Sequence, residues 1–222
     1  MKIRNSIVVA VVVVMCIILV FACKKTNSDP QTTTFDQRIM LANYSDNIIV
    51  PAYTSLAVEA DKLVTASNTF STTPTTENLV NLQHEFTLTY KAWMHCEPFN
   101  FGPADDVVML ETAISFPAKP DLIETELSGT SEFTDAYVHS WGAQKKGLAA
   151  LAYLLFVRND DDNASAAHDK FVSGANGDRR KLYAAALAKN IAANAHTVLD
   201  GWNNGYAATF KTNTGTELNT SL

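Results

Sequence analysis

The segment DRRKLYAAALAKNIAANAHTVLDGWN, residues 178–203, decides the fold class. Leu187, Ile191, Asn194, Val198 and Trp202 recur at steps of three and four, which places them on one face of an α-helix. Alanine fills much of the remaining segment. It favours helix and lets neighbouring helices approach closely. Strand-type alternation is almost absent from the rest of the chain.

Working outward, the same period appears three more times. Residues 133–157 carry Tyr137, Trp141, Leu148, Leu151 and Leu155 on one face and read as the third long helix. Residues 74–96 carry Leu79, Leu82, Phe86, Tyr90 and Trp93 and read as the second. Residues 35–70 carry Ile49, Ala52, Leu56, Ala60, Leu63 and Phe70 and read as the first. Pro51 lacks an amide hydrogen and should kink or break that helix. Between the first two helices, Thr73 is the expected cap and Pro74 the expected first helical residue. Residues 97–106 read as irregular, with Pro98, Gly102 and Pro103 as breakers. Short helices are expected around 107–114, 120–127 and 164–172, with a charged loop at 158–163 and turns at 128–130 and 173–176. Beyond Tyr206 no closing element is expected. The predicted architecture is all-α, an up-and-down bundle of about four long helices over residues 35–211, followed by a disordered tail at 212–222.

The N-terminus reads differently. Lys2 and Arg4 precede an uninterrupted apolar run, residues 7–22. It is shorter than the roughly 20 residues of a spanning helix and fits the core of an export signal. It closes as Leu19-Val20-Phe21-Ala22-Cys23, which resembles a lipobox, so Cys23 is the expected lipid-attachment residue and residues 1–22 the signal peptide. Acyl chains contribute about 0.8 kcal/mol per buried CH₂, and two or more hold a protein stably on a membrane. Residues 23–34 would be a polar tether. Lys24 after the cysteine points to the outer membrane. Losing Lys2 and Arg4 leaves 15 basic against 23 acidic residues, a formal charge of −8. Such a body excludes nucleic-acid binding through a general basic patch. With Cys16 removed and Cys23 acylated, Cys96 has no disulfide partner.

Four passages resemble the imelysin family, also called peptidase M75, of bacterial envelope proteins often linked to iron uptake. Ala42 through Tyr53, with Tyr44 and Pro51, is similar to the family's opening helix. Trp93, Glu97, Phe99, Phe101, Gly102 and Pro103 are similar to its W-x-x-x-E-x-F-x-F-G-P passage. Ile114-Ser115-Phe116-Pro117 resembles its NTWP or NTFP turn. Lys146 to Phe156 resembles its G-x-H-x-x-E-Y-L-L-F block. The resemblance covers the first half of an imelysin-like protein. It implies a longer protein with a second helical bundle, so the expectation is a truncated product or a fragment.

The resemblance also implies a metal-binding histidine and glutamate one helical turn apart, where i and i+3 share a face. That is sound geometry for zinc or iron. Those positions are Ala149 and Ala152, and a methyl group neither ligates a metal nor moves a proton. The family positions that remain are Tyr44, Glu97, Phe101, Gly102, Pro117 and Gly147. Glu97 either faces a ligand cleft or holds loop amides. The cluster His95-Cys96-Glu97 converges poorly, since adjacent helical residues diverge by about 100°. Cys96 beside a helix end is a candidate reactive thiol. Asp160 to Asp162 lack the glycine of a calcium loop and read as solvated.

The expected function is a non-catalytic imelysin-like lipoprotein of the cell envelope, held to the membrane by Cys23. It would bind a small ligand or an envelope protein, with a link to iron or haem uptake and no cofactor of its own. The alternatives are a metallopeptidase with substitute transition-metal ligands, or half of a two-bundle protein that is inactive alone.

Overall fold

A computed structural model describes residues 35–107, 117–157 and 164–215. The signal peptide, Cys23, the tether, residues 114–116 of the third motif, the helix expected near 107–114 beyond Val107, the loop with Asp160 to Asp162, and residues 216–222 lie outside the described residues. The chain divides at Asp36 into two units, and every element below belongs to the second, Gln37–Leu222.

The described residues form helices and no strand. Helix α1, Gln37–Tyr44, runs into a π-turn, Ser45–Ile49, and then into α2, Val50–Thr72. The wide turn sits directly before Pro51, whose ring and missing amide hydrogen disrupt the ordinary i to i−4 bonds there. The interruption expected at this proline is thus a π-turn. Helix α3 spans Thr76–Cys96. Its cap is Thr75, whose hydroxyl oxygen accepts from the Asn78 amide, so neither Thr73 nor Pro74 starts the helix. A 3-10 turn, Glu97–Phe99, and a short α4, Pro103–Asp106, give order to the segment expected to be irregular.

Helix α5, Pro120–Ser128, is followed by α6, Asp135–His139, a 3-10 turn, Ala143–Lys145, and α7, Gly147–Leu155. The continuous helix expected over 133–157 is therefore three pieces. Gly142 and Lys146 are extended, and Gly147 has φ +75°, the left-handed region that favours glycine. The break lets Trp141 stack on Tyr183 with ring centroids 4.9 Å apart. Helix α8, Ala164–Val172, leads into α9, Gly177–Gly201. A π-turn, Trp202–Tyr206, with Gly205 at φ +144°, continues into α10, Ala207–Thr212. That closing helix, absent from the expectation, buries Phe210.

Helix α2 is central and packs on both α3 and α9. Ala57, Ala60 and Ala66 on α2 and Ala184, Ala188, Ala192 and Ala195 on α9 are all buried, and these small side chains allow the close approach. Helix α7 packs on α9 and α3, and α8 bridges the same two. Three helices longer than 20 residues, α2, α3 and α9, thus make an all-α bundle closed by shorter ones. Among the described residues no helix is long and apolar enough to cross a membrane.

Candidate functional site

Helix α7 buries Leu148, Leu151, Leu154 and Leu155 and leaves Ala149, Ala152 and Tyr153 half-buried, while Phe156, extended just after the helix, packs on Phe86. The spacing of these three, i, i+3 and i+4, makes one face. Ala149 and Ala152 therefore stand where side chains could meet a ligand, and they offer only methyl groups. The face is held firmly. The Tyr153 hydroxyl donates to Glu124 Oε1 at 2.8 Å, and Arg180 Nη2 donates to the same oxygen at 2.6 Å. Burial alone would push the Glu124 carboxyl up, but the Arg180 and Tyr153 hydrogen bonds outweigh it and hold it below its ordinary value. The Tyr153 hydroxyl is pushed up to about 12 by burial and by that carboxylate.

A second set of bonds fixes the approach to α7. Glu126 pairs with Lys145 and accepts from the Tyr137 hydroxyl at 2.9 Å. Arg179 lies over the Phe133 ring and donates to the carbonyls of Glu126, Leu127 and Ser131. The amide of Lys119 donates to Gln144 O, which brings exposed Pro117 within two residues of the turn before α7.

The remaining family positions gather elsewhere. Phe101 packs on Trp202 and Phe210, with centroids 5.8 Å from each. Gly102 has φ +57°, and a Cβ there would stand 2.3 Å from the Tyr206 ring. Tyr44 is exposed at the end of α1, near the Asp46–Lys211 ion pair of 2.5 Å. Glu97 is exposed in the 3-10 turn. The first group reaches α9 at Arg180, and the second packs on Trp202, the first residue of the π-turn that continues it. Twenty-two residues of helix separate them, about 33 Å at 1.5 Å per residue. The motif residues thus form two clusters at opposite ends of the bundle.

His95, Cys96 and Glu97 do not converge: Cys96 is buried while its neighbours are exposed. Burial pushes the Cys96 thiol up to about 12, which makes it a packing residue and overturns the reading of a reactive thiol.

Sequence reasoning passed over one cleft. A cavity of about 580 Å³ lies between α2, α6 and α9, lined by Asp61, Asp135, His139, Lys189, Asn190 and small apolar residues. Asn190 is 8 % exposed, and its carbonyl oxygen is buried without a hydrogen-bond partner. Such an orphan costs about 1–3 kcal/mol. On the rim, Asp61 meets His196 Nε2 at 2.9 Å. The Lys146 amine, itself buried, donates to His139 O at 2.8 Å and ties α6 to the start of α7.

The imelysin (peptidase M75) family model matches residues 49–222. The chain belongs to the imelysin family. Its described positions from Ile49 to Gly215 are therefore those of an imelysin bundle. The iron-regulated protein A of Synechococcus elongatus is similar over 130 residues at 26 % identity, covering 59 % of this chain and 35 % of that protein. A solved structure described as an iron-regulated protein A precursor, from Parabacteroides distasonis ATCC 8503, aligns with TM-score 0.68 at 17 % identity. It covers 83 % of this chain and 52 % of that one. An imelysin-like protein from Psychrobacter arcticum 273-4 aligns with TM-score 0.60 at 16 % identity, covering 78 % and 52 %. The chain therefore spans about a third of the curated relative and about half of each solved chain. The two structural likenesses speak to the fold alone.

The residues present do not fit the transition metal that the family pattern implies. Ala149 and Ala152 have no lone pair to give, and among the described residues no three of His, Cys, Asp and Glu lie where they could share an ion.

Proposed function

We propose that this imelysin-family chain is a non-catalytic binding module of the cell envelope, tethered by lipid on Cys23 and linked to iron or haem uptake. One observation carries the reading: the half-exposed face of α7 is built and braced, yet its two family ligand positions are alanine. A helix that kept Gly147 at φ +75°, the Tyr153–Glu124–Arg180 bonds and its leucine face has retained the scaffold without the chemistry. The iron link is supported by the name of one relative, the iron-regulated protein A of Synechococcus elongatus. The lipobox-like ending at Cys23 and Lys24 supports attachment to the outer membrane.

Two measurements test this. Purified chain supplied with Zn²⁺ or Fe²⁺ should leave an unstructured protein substrate intact; metal-dependent, chelator-sensitive cleavage overturns the non-catalytic reading. The chain's abundance should rise in iron-depleted cells; equal abundance with and without iron removes the iron link.

A further inference from the structure

The sequence contains two Asn-Gly steps, Asn176-Gly177 and Asn204-Gly205. Both are primed for the same reaction. The backbone nitrogen of the second residue can attack the asparagine side-chain carbon, and glycine has no Cβ to obstruct the approach. The structure treats the two steps differently.

Asn176 stands directly before α9 and is locked. The Gly177 nitrogen, which would be the nucleophile, donates its hydrogen to Gly174 O at 3.0 Å. Gly177 is buried, and a Cβ there would stand 2.3 Å from Phe171 O. The Asn176 carbonyl accepts from the Arg180 amide at 2.8 Å. Ring closure rotates the peptide between the two residues, so it would break both bonds.

Asn204 lies in the π-turn between α9 and α10. Asn204 (φ −96°, ψ 25°) and Gly205 (φ +144°, ψ −35°) both depart from helical geometry. Both are exposed. No heavy atom lies within 4 Å of where a Gly205 Cβ would be, so the reacting peptide has room to turn.

We propose that Asn204 is a site of spontaneous deamidation and that its conversion loosens the closing helix α10. The Gly205 nitrogen gives its proton to solvent base and bonds to Asn204 Cγ. The Cγ–Nδ2 bond breaks, and ammonia leaves. Water then opens the five-membered imide. Opening at the main-chain carbonyl gives isoaspartate, and opening at Cγ gives aspartate. One water is consumed and one ammonia released, and nothing is oxidised or reduced.

The position gives this chemistry a consequence. Isoaspartate adds one methylene to the backbone between buried Trp202 and α10. Tyr206 of the same turn fills the space over Gly102, and Phe210 of α10 stacks on Phe101. A lengthened link displaces both rings from their seats. None of these residues belongs to the Ala149/Ala152 face, so this inference and the reading of α7 stand or fall separately.

The test is peptide mass mapping of the purified full chain after incubation in mildly alkaline buffer, native and in denaturant. The native chain should convert Asn204 about tenfold or more faster than Asn176, because Asn176 reacts only through local opening. In denaturant the two should convert at similar rates. Fragmentation should show isoaspartate as well as aspartate at position 204, which direct hydrolysis of the side chain does not give. Asn204→Gln should stop conversion there, since its ring closure needs a six-membered imide. The converted chain should unfold at a lower temperature than fresh chain, while Asn204→Gln incubated in the same way should keep its midpoint. No native conversion at Asn204, native conversion at Asn176 as fast as at Asn204, or aspartate without isoaspartate would overturn the site. An unchanged midpoint in the converted chain would overturn its effect on α10.

Discussion

Gly102 lies against Tyr206 with no room for a side chain: a Cβ would stand 2.3 Å from ring Cζ, and the backbone is at φ +57°. The contact joins the loop after α3 to the π-turn after α9, and Phe101 and Trp202 pack beside it. The family's glycine in this passage is thus a packing requirement at one end of the bundle. Gly102→Ala should destabilise the chain by about 2 kcal/mol or more, through backbone strain and the displaced ring together. Chemical denaturation of the two proteins checks this, and an unchanged midpoint contradicts it.

The Glu124–Arg180 pair makes a pH prediction. The folded-state carboxyl is held below its ordinary value of 4.5. Its contribution is therefore present above that value and is lost as pH falls through the folded value. Glu124→Gln should lower stability at neutral pH by about 1 kcal/mol, because the half-exposed carboxylate is screened. The gap between wild type and variant should close as pH falls below the ordinary value of 4.5 and through the lower folded value. Thermal melts across the acid range read both outcomes, and a gap that widens in acid contradicts the sign.

Cys96 is fully buried, and its thiol is pushed up to about 12. At neutral pH it should resist thiol-specific alkylation in the native chain and react once denaturant is added. Mass mapping of the peptide containing residue 96 separates it from the N-terminal cysteines. Rapid native labelling would contradict the buried geometry.

On the proposed lipid anchor, Cys23→Ser should move the chain from the membrane fraction to the soluble fraction and abolish acyl labelling. A variant that stays membrane-bound would show another means of attachment.

The helical class was legible because the apolar period of Leu187 to Trp202 is long and regular, and every member of that stripe is buried. The breaks were less legible. Gly142, Gly147 and Gly205 were visible signals, yet the apolar spacing of Tyr137, Trp141 and Leu148 continued across the first two and disguised the interruption. The cap at Thr75 competed with an equally plausible Thr73, and only the bond to the Asn78 amide distinguishes them. The separation of Glu97 from Ala149 was invisible, because sequence motifs carry order along the chain and not distance between helix ends. Asn190 was hidden by its residue type. A polar residue one turn before Asn194 on an alanine-rich helix looks solvated until three-dimensional packing buries it.

The central claim is that α7 keeps the imelysin scaffold while Ala149 and Ala152 leave it without metal ligands. Elemental analysis of the purified full chain after dialysis against Zn²⁺ and Fe²⁺ tests it most directly. Substoichiometric metal, unchanged by mild chelation, is the predicted result. One tightly held transition-metal ion per chain would contradict it.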